Sequence, residues 1–118
     1  MPSDTDRAAL HDILHHLDLI REFTQDENSE SFCVDIMRIY AVTRCLEIIS
    51  EASRRVSDDV KARNQAIACK EMAGAGNIYR HDYEDVSAKR LWDTVQLALP
   101  ALRAVIVAEL EGSSLQDT

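Results

Sequence analysis

Apolar residues recur at every third or fourth position through the first part of this chain, which is typical of a helix with one buried face. The apolar stripe comprises Leu10, Ile13, Leu14, Leu17 and Ile20. Ser3 and Asp6 have the spacing of a capping box, so the pattern predicts a helix over Ser3–Phe23. The polar stretch 24–31 predicts a loop that ends on Ser31 as the N-cap of the next helix.

A second, longer helix is predicted over Ser31–Arg55, because the same period continues there. Its stripe comprises Phe32, Ile36, Ile39, Tyr40, Thr43, Leu46, Ile49 and Ala52. At a rise of about 1.5 Å per residue this helix would be roughly 35 Å long, which suits the spine of a bundle. Ser57, followed by two acids, predicts the cap of a short helix that reaches Ala62.

The pattern becomes ambiguous beyond residue 65. Residues 66–73 favour a helix, but Gly74 and Gly76 would each cost about 1 kcal/mol in a helix interior. The periodicity alone therefore predicts a helix end near Ala73 and a loop over 74–86.

The last helix is predicted to begin at Ser87 and to end at Gly112. Its apolar face comprises Leu91, Trp92, Val95, Leu99, Leu102, Val105, Ile106 and Leu110. Pro100 lies inside this run, so it either kinks the helix or begins a new one at its first turn.

These elements predict an all-α protein, an antiparallel bundle of four to five helices with no strand and no internal repeat. The 118 residues suit a single domain over 1–112, followed by a polar tail at 113–118. No apolar run approaches the ~18–20 residues that span a bilayer, and the N-terminus lacks the apolar core of a secretory signal. Three widely spaced cysteines, an odd number, suggest free thiols, so we expect a cytoplasmic protein without a membrane partner.

The net charge of −8 argues against a protein that coats DNA or RNA by charge alone, and no DNA partner is expected. The charge is unevenly distributed, however, because residues 54–90 contain more bases than acids. A locally basic face on an acidic body can bind a polyanion. A solvated charged surface is the alternative explanation.

The densest group of reactive side chains lies at residues 77–85, where an imidazole, a guanidinium, two phenols and several carboxylates occur together. Histidine is the side chain whose unperturbed pKa lets it accept and give a proton near neutrality, which makes His81 a candidate acid or base, and Arg80 offers donors that fit phosphate oxygens. Metal-free RNA cleavage needs both groups, since a base must deprotonate the 2′-hydroxyl and a cation must stabilise the transition state. A polar loop with a surface histidine is the alternative.

Two metal-binding alternatives also remain open. His81 could combine with the nearby acids Asp82, Glu84 and Asp85, although consecutive residues do not face one point. His11 and His15 share a helix face at a spacing that can bind a transition metal. Both metal patterns are weaker than the metal-free explanation, so no metal is expected. Gly74 and Gly76 form neither a P-loop nor a dinucleotide-binding pattern, so no nucleotide cofactor is expected either.

Three blocks in order carry a resemblance to a known family. Residues 46–52 read LEIISEA, close to L-E-I-I-G-E-A; residues 77–83 resemble R-N-x-x-x-H-x-Y; and residues 92–102 resemble W-x-x-V and L-P-x-L. Over Arg44–Ile106 the chain thus resembles the HepT-like family of HEPN-domain ribonucleases, the toxin halves of toxin–antitoxin pairs. The first helix matches by its position only.

The resemblance implies a HEPN bundle that forms a homodimer, in which two protomers bring their motifs to one cleft. It also implies that the third long helix continues through both glycines to about Arg80. The partner it implies is a small nucleotidyltransferase antitoxin that adenylylates the motif tyrosine, here Tyr83. A nucleotide added there would block RNA by bulk and repulsion.

This chain departs from the family motif at its opening arginine, because Gly76 occupies that position. Arg80, beside His81, is the candidate replacement. On a helix Arg80 lies ~100° from His81, and position 76 lies ~140° from it in the same direction, so the two placements are close but not equivalent. Across a two-fold axis, Arg80 of one protomer could face His81 of the other. Either Arg80 substitutes, or the protein is weakened or inactive, since losing such a cation typically costs ~3–4 kcal/mol.

The first hypothesis is a metal-independent endoribonuclease toxin. His81 is then general base or acid, Arg80 the phosphate cation, Asn77 an orienting hydrogen bonder and Tyr83 an RNA contact and modification site. Arg80 shares RNA binding with the basic residues Lys70, Lys89 and Arg90. The second hypothesis is a non-catalytic module that binds RNA, nucleotide or the antitoxin. The third is an unrelated small-ligand or metal role through His11 and His15.

Overall fold

The structure, a computed structural model, describes residues 3–64 and 85–116. These residues form helices joined by short turns, which confirms the all-α prediction. The helices are α1 (Asp4–Thr24), α2 (Ser29–Cys33), α3 (Ile36–Arg54), α4 (Asp58–Arg63), α5 (Asp85–Leu97) and α6 (Leu99–Gln116). The ambiguous part of the chain, including the predicted continuation of a helix to Arg80, lies outside the described residues.

Helix α1 begins as the sequence predicts. The Ser3 hydroxyl accepts a hydrogen bond from the Asp6 N–H, and the Asp6 carboxylate accepts one from the Ser3 N–H, both at 3.1 Å. This reciprocal pair is the predicted capping box. The helix ends at Thr24, and the chain turns through Asp26, whose φ of 67° lies in the left-handed region that Asp tolerates.

The predicted helix Ser31–Arg55 is wrong, because the chain forms two helices there. Asn28, not Ser31, caps α2, with Asn28 and Ser31 exchanging hydrogen bonds as a second capping box. Asp35 then caps α3 by accepting from the Arg38 N–H at 3.1 Å. This break shifts the helix phase, and as a result Ile36 and Tyr40, expected in the buried stripe, are exposed.

Helix α4 covers Asp58–Arg63, close to prediction, but its cap differs. Ser57 precedes the helix without a side-chain capping bond. Its hydroxyl instead donates to Asp6 Oδ2 at 3.0 Å, and its N–H donates to Asp6 Oδ1 at 2.7 Å. The N-terminus of α1 and the start of α4 are therefore tied by one carboxylate, and Val60 buries α4 against the core.

Pro100 lies in the first turn of α6, so of the two predicted outcomes a new helix is the correct one. The axes of residues 88–97 and 99–112 differ by 42°. Helix α6 continues past Gly112 to Gln116, so the predicted end at Gly112 is wrong. Gly112 has no positive φ and thus does not form the left-handed cap that would end the helix.

The core lies between α1, α3, α5 and α6, which pack around one cluster of buried apolar side chains. Helices α1 and α3 are antiparallel, because Arg38 at the start of α3 donates to the Phe23 carbonyl at the end of α1. Phe32 of α2 contacts Trp92 of α5, with ring centroids 5.3 Å apart. The fully buried side chains include Leu10, Ile13, Ile20, Phe32, Val42, Leu46, Ile49, Val60 and Ile106.

Across the described ranges, no single helix is long and apolar enough to cross a bilayer. Residues 88–97 and 99–112 reach that length and hydropathy only together, as a bent pair.

Candidate functional site

The reactive cluster at residues 77–83 lies in the segment 65–84, outside the described residues. The positions of Asn77, Arg80, His81, Tyr83 and Lys70 are therefore not given by the structure. The structure does define the residues on either side of this segment, which we call its two anchors. These anchors are Asn64, which follows the end of α4 at Arg63, and the start of α5 at Asp85.

The first anchor is held by Glu109 of α6. Its Oε1 accepts a hydrogen bond from Arg63 Nη2 at 2.5 Å, and its Oε2 accepts one from the Asn64 amide at 3.1 Å. The same amide nitrogen also donates to the Val60 carbonyl at 3.0 Å. Residue 64, immediately before the reactive segment, is thus fixed to both α4 and α6. We call this arrangement the Glu109 clamp.

The Glu109 clamp keeps its carboxylate charged. Partial burial would raise the pKa of Glu109, but the hydrogen bonds from Arg63 and Asn64 and the arginine charge outweigh burial, so the pKa lies below its ordinary value. The Arg63 pKa is raised by the same contact. Only 13% of the Glu109 side chain is exposed. Sequence analysis missed Glu109, since nothing local links residues 63 and 109.

Asp6 holds α4 at its other end. Burial would raise the pKa of Asp6, but hydrogen bonds from Ser57 and Ser3 outweigh it and leave the pKa below its ordinary value. The carboxylate is only 4% exposed. Helix α4, which leads into the reactive segment, is therefore fixed at both ends by buried or half-buried carboxylates.

The second anchor is the first part of α5. Lys89 and Arg90, two of the predicted RNA-binding residues, are exposed there, whereas Ala88 and Leu91 are buried. At about 1.5 Å per helical residue, Lys89 lies roughly 6 Å along the axis from residue 85. The side chains of Lys89 and Arg90 therefore lie on the solvent-exposed face of α5, close in the chain to the end of the reactive segment.

The histidines of α1 show no metal centre. His11 and His15 are exposed, and His16 Nδ1 lies 2.8 Å from the Asp12 carbonyl oxygen. Within residues 3–64 and 85–116, no group of three or more His, Cys, Asp or Glu side chains is placed to hold a metal. Cys33 and Cys45 are free thiols, and burial raises the pKa of Cys45 to about 11, which makes it unreactive.

A cleft of about 250 Å³ lies between α1 and the bend that joins α5 to α6. Leu17, Val95 and Leu99 are among the residues of its floor, and Arg21 and Arg103 are at its edge. Arg103 Nε donates to Asp18 Oδ1 at 2.8 Å. We call this feature the α1–α6 cleft. Sequence analysis missed it, because the bend at Pro100 creates it.

Four large apolar side chains are exposed together where α2 gives way to α3. Val34 is 80% exposed, Ile36 63%, Met37 83% and Tyr40 56%. Side chains this apolar seldom cluster on a surface that faces only water. We call them the α2–α3 patch. The sequence could not separate them from the core stripe, since the helix break that exposes two of them was not predicted.

Comparison with known proteins identifies relatives along most of the chain. Residues 13–109 match the family described as Ribonuclease HepT-like. A Methanocaldococcus jannaschii protein named as a candidate RNase, MJ1216, is 33% identical over 95% of both chains. A Thermococcus cleftensis protein named probable ribonuclease HepT is 38% identical, covering 80% of this chain and 86% of its own. No solved structure matches.

Proposed function

Because this chain belongs to the ribonuclease HepT-like family, we propose that it is an endoribonuclease that cleaves RNA without a metal ion. The observation that carries the proposal is the family match over residues 13–109, which encloses the segment containing His81. The relatives named above carry ribonuclease names of their own.

In the proposed reaction, His81 takes the proton from a ribose 2′-hydroxyl. The freed oxygen attacks the adjacent phosphorus, the bond from phosphorus to the 5′-oxygen breaks, and that oxygen leaves with a proton supplied by an acid. The products are a cyclic phosphate and a 5′-hydroxyl end. Arg80 stabilises the charge that develops on the phosphate oxygens, in place of the arginine that Gly76 replaces. Asn77 orients the phosphate, and Tyr83 contacts the RNA.

Two features of the described residues support this assignment. The Glu109 clamp attaches residue 64 to α6, so the segment that contains His81 follows a fixed point of the bundle. Lys89 and Arg90, exposed near the segment's other end, supply positive charge for an RNA strand on a chain of net charge −8.

The proposed enzyme is a homodimer formed through the α2–α3 patch. A two-fold contact presents the same surface twice, so Val34, Ile36 and Met37 would pack on their own copies. The neighbouring turns of α3 carry both signs of charge, with Arg44 3.5 Å from Glu47, which allows the same pair to form between protomers. In this arrangement each catalytic segment would contribute to a shared cleft.

We further propose a cytoplasmic toxin–antitoxin role. The partner would be a nucleotidyltransferase antitoxin that attaches a nucleotide to Tyr83. The added phosphate would place negative charge where an RNA phosphate binds, which would weaken RNA binding by repulsion. The free thiols of Cys33 and Cys45 are compatible with a reducing compartment.

The second candidate function is a binding module without turnover, favoured by Gly76 in the position of the family's arginine. One experiment separates the two. A fluorescent single-stranded RNA is incubated with the protein in EDTA, alongside the His81→Ala and Gly76→Arg variants. Cleavage that persists in EDTA and disappears in His81→Ala supports the enzyme. Tight binding without products, with cleavage gained in Gly76→Arg, supports the module. Cleavage that needs metal or survives His81→Ala refutes the proposed mechanism.

A further inference from the structure

The α1–α6 cleft has a composition that sets it apart from the rest of this acidic chain. Its lining contains two arginines, Arg21 and Arg103, and no carboxylate, although the chain carries 21 acids and a net charge of −8. Asp18 lies just outside and neutralises part of the charge on Arg103. The cleft therefore retains a net positive charge beside an apolar floor.

The two arginines have donors to offer a ligand. Arg103 donates a hydrogen bond from Nε to Asp18, which fixes the guanidinium. Its two terminal amino groups are left to donate to a ligand. Among the residues that the structure describes, the Arg21 side chain has no hydrogen bond or ion pair. Two guanidinium groups are suited to a phosphate, which presents several oxygens and up to two negative charges.

The remainder of the cleft suits a flat ring attached to that phosphate. Leu17, Val95 and Leu99 line the cleft but are only 4%, 7% and 5% exposed, so each presents a small apolar area there. Gln25 and Gln96 also line the cleft, and each amide can both donate and accept hydrogen bonds, as the edge of a base requires. The volume of about 250 Å³ is below the ~300–1,000 Å³ of most drug-sized sites, which limits the occupant to one small group.

We infer that the α1–α6 cleft binds one nucleotide unit, with its phosphate held by Arg21 and Arg103 and its base against Leu17, Val95 and Leu99. The nucleotide comes either from a free nucleoside monophosphate or from an RNA strand. An acidic peptide matches the cleft less well than a nucleotide does, because its carboxylates would contact the arginines but leave the apolar residues of the cleft unused. The inference rests on the α1–α6 cleft alone and does not depend on the catalytic role proposed for His81.

The test uses the full chain carrying His81→Ala, so that RNA is not consumed during the measurement. Calorimetry with adenosine monophosphate and fluorescence anisotropy with a labelled hexa-adenylate RNA report the two sources. Arg21→Met removes a cleft cation, and Arg54→Met is the matched control, since it removes the same charge from an exposed position at the far end of α3. Thermal melts establish that each variant folds.

We expect Arg21→Met to weaken binding of at least one probe about tenfold or more, as for loss of a charged hydrogen bond. Arg54→Met should change the affinity for either probe less than twofold. If adenosine monophosphate binds, a free nucleotide is a sufficient ligand. If only the hexa-adenylate RNA binds, the ligand is a nucleotide within an RNA strand. Either result supports the site. Arg103→Lys keeps the positive charge but loses the paired guanidinium donors. The affinity of this variant for the probes should lie between those of the wild type and Arg21→Met.

The inference is overturned if neither probe binds, or if Arg21→Met and Arg54→Met behave alike. It is also overturned if an aspartate-rich peptide binds through Arg21 more tightly than both nucleotide probes. Failure of the proposed enzyme would appear separately, as absence of cleavage by the chain that retains His81.

Discussion

Replacing Asp6 with asparagine should destabilise this protein although the two side chains have the same shape. The carboxylate accepts the Ser57 N–H at 2.7 Å, the Ser57 hydroxyl at 3.0 Å and the Ser3 N–H at 3.1 Å. An asparagine offers one acceptor oxygen in place of two, so whichever way it is oriented one backbone N–H loses its acceptor. An unpaired buried donor costs about 1–3 kcal/mol, and because Ser3 and Ser57 are exposed residues whose bonds to Asp6 are partly buried, we expect a loss of about 1–2 kcal/mol in the free energy of unfolding.

The same replacement should change how stability depends on pH. Because the pKa of Asp6 is lowered in the folded chain, its carboxylate contributes fully above the ordinary pKa of about 3.9, and the contribution is lost as the pH falls through the folded pKa. Asp6→Asn has no such group to protonate. The difference between wild type and Asp6→Asn should therefore be largest near pH 7 and shrink below about pH 4.

Urea unfolding followed by circular dichroism at pH 7 and pH 3 measures both effects. Asp4→Asn is the matched control, because Asp4 lies exposed in the same first turn of α1 and loses the same charge. Loss of favourable interaction with the helix dipole should cost Asp4→Asn only about 0.3–1 kcal/mol. The reasoning fails if Asp6→Asn is no less stable than Asp4→Asn at pH 7, or if its deficit is unchanged at pH 3.

Four further changes test other parts of the structure. Glu109→Gln should lower the rate of RNA cleavage with little loss of RNA binding, because it loosens the Glu109 clamp; equal kinetics would contradict this role. Met37→Asp in the α2–α3 patch should shift the protein toward monomer in sedimentation velocity, and an unchanged species would exclude that surface. Gly112→Ala should stabilise the chain by about 0.4–1 kcal/mol in urea unfolding, since a Cβ there meets nothing within 4 Å. Phe32→Ala should cost about 3–5 kcal/mol, because Phe32 is fully buried; a loss below 1 kcal/mol would show that the core is not packed as described.

The sequence predicted those features that depend on near neighbours. The capping box links Ser3 to Asp6, three positions apart, and Pro100 indicated a local change of helix, either a kink or a new start. The break between α2 and α3 was missed, because the apolar period predicted from Ser31 runs through Asp35, the residue that caps α3. Because the break was not predicted, Ile36 and Tyr40 were wrongly expected in the core.

The contacts that frame the candidate site could not be predicted from one sequence. Arg63 and Glu109 lie on helices far apart in the chain, and their contact depends on how α4 and α6 pack. Arg21 and Arg103 likewise line one cleft although they lie on α1 and α6, so their proximity to that cleft depends on how these two helices pack. The motif itself, by contrast, is local, so Asn77, His81 and Tyr83 were identified by their resemblance to the family motif, and their roles remain predictions.

The Glu109 clamp has a consequence for the order in which a newly made chain matures. His81 and its neighbours leave the ribosome well before Glu109 does, so the nascent polypeptide exposes the whole reactive segment while residue 64 still lacks its partner on α6. A prematurely terminated product ending ahead of α6 would carry every motif residue without that attachment, and would also lack Leu102 and Ile106 of the core. The Glu109 clamp would thus form only after α6 has been synthesised.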